Sequence, residues 1–179
     1  MHQDLLSWEI IEFPVLLLNA HTLQEVDRFH RYVRPVHHPK LSDFCTQLTG
    51  IIQDMVDFQA EFPVVLKDFE DWINGHFPTD EDKSSFAFVT CGDWDLGHML
   101  PQQASLAGCS LPAYCRRWIN IKQACAEYLG RNVGGLLPML RALNLPHTGR
   151  HHSGINDCLN IANILRCLVA AKAHLRFSG

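Results

Sequence analysis

An apolar run, Phe88-Val89-Thr90-Cys91-Gly92, delivers two aspartates, Asp93 and Asp95, to its end, and far along the chain His152 and Asp157 stand five positions apart before an apolar helical pattern. Carboxylates at a strand end, facing a histidine and an aspartate at a helix start, are the residue types that hold a divalent metal beside a base able to activate water. The ends of strands in α/β sheets are a usual place for ligand-binding carboxylates. Asp93 or Asp95 could equally cap the helix expected from Leu96. The spacing alone is a weak signal, because composition predicts roughly one chance His-x4-Asp match. The second match, His38 with Asp43, lies in a loop and reads as bland. His152 and Asp157 differ in context. Ser153-Gly154 allows a sharp turn, and Asp157 shares a helix face with Ile161, which leans its carboxylate toward a sheet. In the plain alternative, Asp157 only complements the helix dipole and His152 is a surface residue.

Three other groupings compete. Asp68-Phe69-Glu70 spells Asp-x-Glu, which on a strand would aim two carboxylates the same way. Phe69 belongs to a helical stripe, however, and helical positions two apart diverge by about 200°, so the pair is rejected as a metal clamp. Arg28, His30, Arg31, Tyr32, Arg34, His37, His38 and Lys40 form a basic, aromatic-interleaved run that could follow a phosphate backbone, or could be a solvated strand face. His147 and His151 are spaced to bind a metal but read better as a flexible loop, since no Cys pair or acidic partner adjoins them in sequence. A zinc hydrolase built on His147, His151 and His152 finds no His-Glu-x-x-His pattern.

The elements that must position these residues follow from periodicity. Glu9 to Asn19 reads as a buried strand and Glu25 to Val33 as its antiparallel partner, with a turn at Asn19-Ala20-His21. Ser42 caps a helix through Leu48 that Gly50 stops. Phe62, Val65, Leu66, Phe69, Trp72 and Ile73 form a helical stripe that Gly75 closes. Thr79 to Ser85 reads as a charged loop and Ser85 to Cys91 as a buried strand. Helices are expected over Leu96 to Ala107, Ile121 to Leu129, Leu136 to Leu143 and Asp157 to His174. This order predicts an α/β sheet with helices packed on it.

Composition bounds the class. A chain of 179 residues suits one domain. Its formal charge of −4 argues against an overall basic nucleic-acid coat, though not against a local basic patch. Seven cysteines with no Cys-x-x-Cys pair point to reduced thiols in an intracellular protein, of the cytoplasm, the nucleus or both. No basic-then-apolar leader opens the chain, and no apolar run reaches membrane-spanning length.

Taken together, six separated stretches in order resemble the Eri-type 3′→5′ exoribonucleases, a branch of the DEDDh (DnaQ-like) exonucleases with a ribonuclease H-like fold. They are Glu9-Ile10-Ile11-Glu12-Phe13-Pro14, Tyr32-Val33-Arg34-Pro35, Leu41 to Gly50, Thr90 to Leu96, Trp118-Ile119-Asn120 and His152-Ser153-Gly154-Ile155-Asn156-Asp157. The resemblance runs from Glu9 nearly to the C-terminus, and Thr90 to Asp95 looks closest to the third class of that family. It implies hydrolysis of RNA one nucleotide at a time from the 3′ end with two Mg²⁺ or Mn²⁺ ions. It implies Asp95 as a metal residue acting mostly through water, His152 as general base and Asp157 as a direct metal ligand. It also implies that Leu48, Thr49 and Gly50 lie near the terminal nucleotide.

One departure stands out. The family opens with a strand carrying Asp-x-Glu, its main metal ligands, whereas Asp4 here has Leu6 two residues on. The chain is therefore expected to be an N-terminally shortened, single exonuclease-like domain, weakly active or inactive as written. That strand is central in the fold, between the strand at Glu9 and the strand ending at Cys91. Its loss would leave a gap of roughly twice the usual 4.8 Å strand spacing, with exposed edges. The alternative is a non-catalytic RNA- or protein-binding module that uses the Arg28 to Lys40 surface, or a protein partner adding a strand at the edge.

Overall fold

The structure, a computed structural model, describes residues 8–178, so Asp4 and Leu6 lie outside the described residues. It opens with a hairpin of β1 (Glu12–Leu18) and β2 (Glu25–Tyr32), paired antiparallel. Asn19 builds the turn, its side-chain oxygen accepting the His21 and Thr22 N–H groups at 2.9 and 3.0 Å. Helices α1 (Asp43–Thr49), α2 (Phe62–His76) and α3 (Asp80–Ser84) follow, then β3 (Phe88–Thr90). A π turn over Asp95–Met99 runs into α4 (Leu100–Leu106). The remainder is β4 (Trp118–Asn120), α5 (Ile121–Leu129), α6 (Leu136–Ala142), α7 (Gly154–Ala170) and β5 (Phe177–Ser178).

The strands form two sheets, β1-β2 and β3-β4-β5, with β3 parallel and β5 antiparallel to β4. Among the described residues, neither β1 beyond β2 nor β3 beyond β4 has a strand neighbour. Among the described residues the division falls between the Glu9 and Cys91 strands. It also explains why β1, which reads as a buried strand, keeps all but Phe13 only half-buried.

Two apolar clusters hold the layers. Phe13, Phe29 and Phe69 meet at ring-centroid distances of 5.1 to 5.8 Å, joining the hairpin to α2. The second cluster packs Ile121, Met139, Leu140, Ile164 and Leu168 where α5, α6 and α7 meet. Each fully buried side chain of this size contributes roughly 1.5–3 kcal/mol.

Several boundaries differ from expectation. Gly75 does not close α2, which runs to His76. The expected charged loop is the short helix α3, because Thr79 and Asp82 form a reciprocal capping box. β4 and β5 are three and two residues long, too short to show alternation. The α1 boundaries agree: the Ser42 hydroxyl accepts the Cys45 N–H, and Gly50 ends the helix at φ 79°. All seven cysteines are free thiols, as expected. Among the described residues no helix is long and apolar enough to cross a membrane.

Candidate active site

The site straddles the division between the sheets. Asp95 follows β3 on one side, and Asp157 sits in the first turn of α7, which packs on β1, on the other. Asp95 opens to solvent on one side and is crowded by protein on the others. That crowding, with the nearby charge of Asp157, raises its carboxyl above the ordinary value. Burial also raises the Asp157 carboxyl, against the opposing pull of His151 and His152.

α7 is fixed by a carboxylate with no role in the sequence reading. Glu12 accepts the Gly154 N–H at 2.8 Å and the Ile155 N–H at 3.1 Å, satisfying two open donors of the helix start. His30 Nε2 lies 2.9 Å from the same carboxylate. A Cβ at Gly154 would fall 2.9 Å from Glu12 Oε2 and from Pro14, so only glycine lets helix and strand approach this closely. The available signal was an acidic residue inside an otherwise apolar strand.

The loop before α7 is fixed by Asn160. Its Oδ1 accepts the Thr148 N–H, and its Nδ2 donates to the Thr148 and Asn156 carbonyls, all at 2.9 Å. Asn160 is fully buried, as a polar side chain with all these partners can be. Its signal was an amide one turn before the core residue Ile164. Beyond it, His152 is exposed, takes a left-handed backbone (φ 66°) and lies against His151 with the rings tilted by 37° and their centroids 3.8 Å apart.

Leu48, Thr49 and Gly50 reach the same neighbourhood. Arg150, two residues before His152, donates to the Gln47 carbonyl and covers Gly50, whose missing side chain leaves room for the guanidinium. The Thr49 hydroxyl donates to Cys45 and accepts from the Ile51 N–H, closing the turn. Leu48 is half-buried beside it.

Other readings sort clearly. Asp93 caps nothing with its carboxylate, which instead accepts the Trp118 indole N–H at 2.9 Å. Asp68 and Glu70 flank buried Phe69 on α2, as expected of a rejected pair. Only Arg28 to Tyr32 of the basic run lie on β2, where Arg28 pairs with Glu25 and His30 with Glu12; beyond the strand Arg34 pairs with Glu61. His147 and His151 do have an acidic partner, contrary to the sequence reading, because the fold brings them to Asp157. Trp94, exposed beside Asp95, lies within the Thr90 to Leu96 stretch but had no role of its own there.

A family model described as Exonuclease matches residues 6–165. The chain belongs to this exonuclease family. ERI1 exoribonuclease 3 of Homo sapiens is 49% identical over 161 residues, covering 89% of this chain and 48% of that protein. The 3'-5' exoribonuclease 1 of Homo sapiens is 40% identical over 172 residues, covering 95% of this chain and 49% of that protein. The higher identity to the first agrees with the Thr90 to Asp95 reading. A solved structure, the nuclease domain of 3'hExo, a DEDDh family member, bound to rAMP, matches with a TM-score of 0.86 and 38% identity. That match covers 96% of this chain and 86% of the other. The fold is therefore that of the DEDDh nuclease domains, ribonuclease H-like, with its sheet divided at one place. The chain spans about half the length of the curated relatives it matches. The DEDDh family implies dependence on a divalent metal.

Proposed function

We propose that this chain carries the hydrolytic residues of a 3′→5′ exoribonuclease: His152 as general base, and Asp95 and Asp157 as holders of Mg²⁺ or Mn²⁺. The observation that supports the reading is that Asp95, just after β3, and Asp157, in the first turn of α7 on β1, flank the division between the sheets, with the exposed imidazole of His152 in the loop before α7. Two carboxylates, one with a buried oxygen that has no hydrogen-bond partner, suit a hard divalent cation. When bound, such an ion polarises the scissile phosphate and stabilises the leaving 3′ oxygen.

The chain's own residues supply the rest. His152 takes a proton from the attacking water, its ring held against His151 and open to solvent. Thr49 and Gly50, tied to the histidine loop through Arg150, fit the place of the terminal nucleotide. Trp94 offers a face on which a base can stack. Two carboxylates are few for two ions, so residues 1–179 alone should hold metal weakly and trim RNA slowly.

Calorimetric titration with Mn²⁺ tests this. The expected result is weak binding that Asp157→Ala removes and Asp95→Asn reduces, with Mn²⁺-dependent shortening of 5′-labelled RNA lost in His152→Ala. Unchanged Mn²⁺ binding in the doubly substituted Asp95→Asn, Asp157→Asn chain would overturn the reading. Rapid trimming by the native chain alone would overturn its weak-activity part. A second reading, a module that accepts a strand from a protein partner, is favoured by the edges of β1 and β3, which have no strand neighbour among the described residues.

A further inference from the structure

Among the described residues, one group of side chains has metal-ligand geometry. His147, His151 and Asp157 each offer a ligand atom, and these atoms all lie within 4.8 Å of one another. His151 Nδ1 is 3.4 Å from Asp157 Oδ1, and both atoms are buried without a hydrogen-bond partner. Buried polar atoms without a hydrogen bond cost roughly 1–3 kcal/mol each; these two form an ion pair when His151 is protonated, and a shared cation would serve both when it is neutral. The His147 and His151 rings stand nearly perpendicular, at 85° and 6.0 Å.

We infer that these three residues form a binding site for an imidazole-preferring divalent ion of the Zn²⁺ type. The donor set is two ring nitrogens and one carboxylate oxygen, which suits zinc, cobalt or nickel and does not suit magnesium or calcium. Ligands about 2.1 Å from a tetrahedral ion stand roughly 3.4 Å apart, the spacing between His151 Nδ1 and Asp157 Oδ1. Three protein ligands leave a fourth position open to water. The loop is braced before any ion arrives, since Asn160 holds Thr148 by two hydrogen bonds and Arg150 is anchored on Gln47. Binding would not have to order a flexible segment.

The site shares Asp157 with the hydrolytic pair, and His151 lies against His152. An ion held by the two imidazoles therefore draws Asp157 away from a hard cation and adds positive charge beside the general base. Zn²⁺ and Mn²⁺ should exclude one another. This exclusion rests on the function proposed above, whereas the site itself does not.

The test uses Co²⁺ as a visible probe on the full 179-residue chain. The expected result is one Co²⁺ per chain with the intense visible bands of a tetrahedral ion, displaced by Zn²⁺. His147→Asn should weaken Co²⁺ binding about tenfold or more, and the His147→Asn, His151→Asn pair should abolish the bands. His147 is exposed, so its replacement does not threaten the fold, and circular dichroism checks this. Mn²⁺ binding, followed by electron paramagnetic resonance, should survive His147→Asn and be lost in Asp157→Asn. Co²⁺ bands and affinity unchanged in the double histidine variant, or no Co²⁺ bands in the native chain, would overturn the site. Tight Co²⁺ binding with no displacement of Mn²⁺ would overturn only the exclusion, and no Mn²⁺ binding at all would count against the hydrolytic reading instead.

Discussion

Glu12 Oε2 accepts the Gly154 N–H at 2.8 Å, so a β1 carboxylate seats the first turn of α7 and, with it, Asp157. The second oxygen takes Ile155 and His30, which leaves this carboxylate fully engaged and nearly buried. Hydrogen bonds to a charged acceptor contribute roughly 1.5–3 kcal/mol each, and their loss leaves donors unpaired. Glu12→Ala should cost about 3 kcal/mol in urea unfolding. Glu12→Gln, which keeps the shape but not the charge, should cost less. An effect below about 0.5 kcal/mol for Glu12→Ala would mean that water replaces the carboxylate at the helix start.

Asn160 makes a separate prediction. Its three hydrogen bonds tie the Thr148 loop to α7, and nothing apolar at that position can replace them. Asn160→Ala should destabilise the chain by about 2–3 kcal/mol. It should also weaken Mn²⁺ and Co²⁺ binding together, because the loop carrying His147 to His152 loses its brace. Asn160→Asp keeps one acceptor but loses both donors, and should rescue neither. Metal binding equal to the native chain in Asn160→Ala would show that the loop holds its form without the amide.

These two residues mark where sequence reasoning stopped. The α1 boundaries, the hairpin and α5 were legible because caps, turns and apolar periodicity are local signals, and Ser42, Asn19 and Asn120 perform them locally. Asp95 and Asp157 were legible as candidates because each sits at the end of a clear element. The bonds of Glu12 to Gly154 and of Asn160 to Thr148 join residues whose partnership appears only after folding. The same holds for His147 and His151: their acid, Asp157, lies on the following helix and not in a motif beside them. The short strands β4 and β5 lacked the length that makes alternation readable.

Proton linkage offers a third prediction. Asp95 and Asp157 are both raised above the ordinary carboxylate value, chiefly by burial. A group whose pKa is raised on folding gives stability that is complete below its unfolded value and is lost as pH rises through its folded value. The metal-free chain should therefore lose stability as pH climbs out of the ordinary carboxylate range, and Mn²⁺ should restore it. Because protons compete with the cation, Mn²⁺ affinity should rise over the same interval. Asp157→Asn should lower the pKa of Asp95, since the Asp157 charge is one cause of its rise. Carboxyl-carbon NMR titration reads this directly. An Asp95 titration that does not move in Asp157→Asn would show that the two carboxylates do not share a site.

The division of the sheet makes the last prediction. β1 and β3 each present an edge without a strand neighbour among the described residues, and Asp95 and Asp157 stand on its two sides. Unpaired backbone edges exchange their amide hydrogens quickly and invite pairing with other chains. The amides of β3 should therefore exchange faster than those of β4, and the chain should self-associate as its concentration rises. Lengthening the chain at its N-terminus with an apolar strand that carries Asp-x-Glu should pair both edges, slow exchange in β1 and β3 together and suppress association. On such a strand residues two apart face the same way, so the added acids would join Asp95 and Asp157. Mn²⁺ affinity should then rise by at least about tenfold through the extra carboxylates. Slowed exchange without tighter metal binding would mean that the gap accepts a strand but does not complete a metal site. Faster exchange throughout would mean that the two sheets are held apart by their own packing and not by want of a partner.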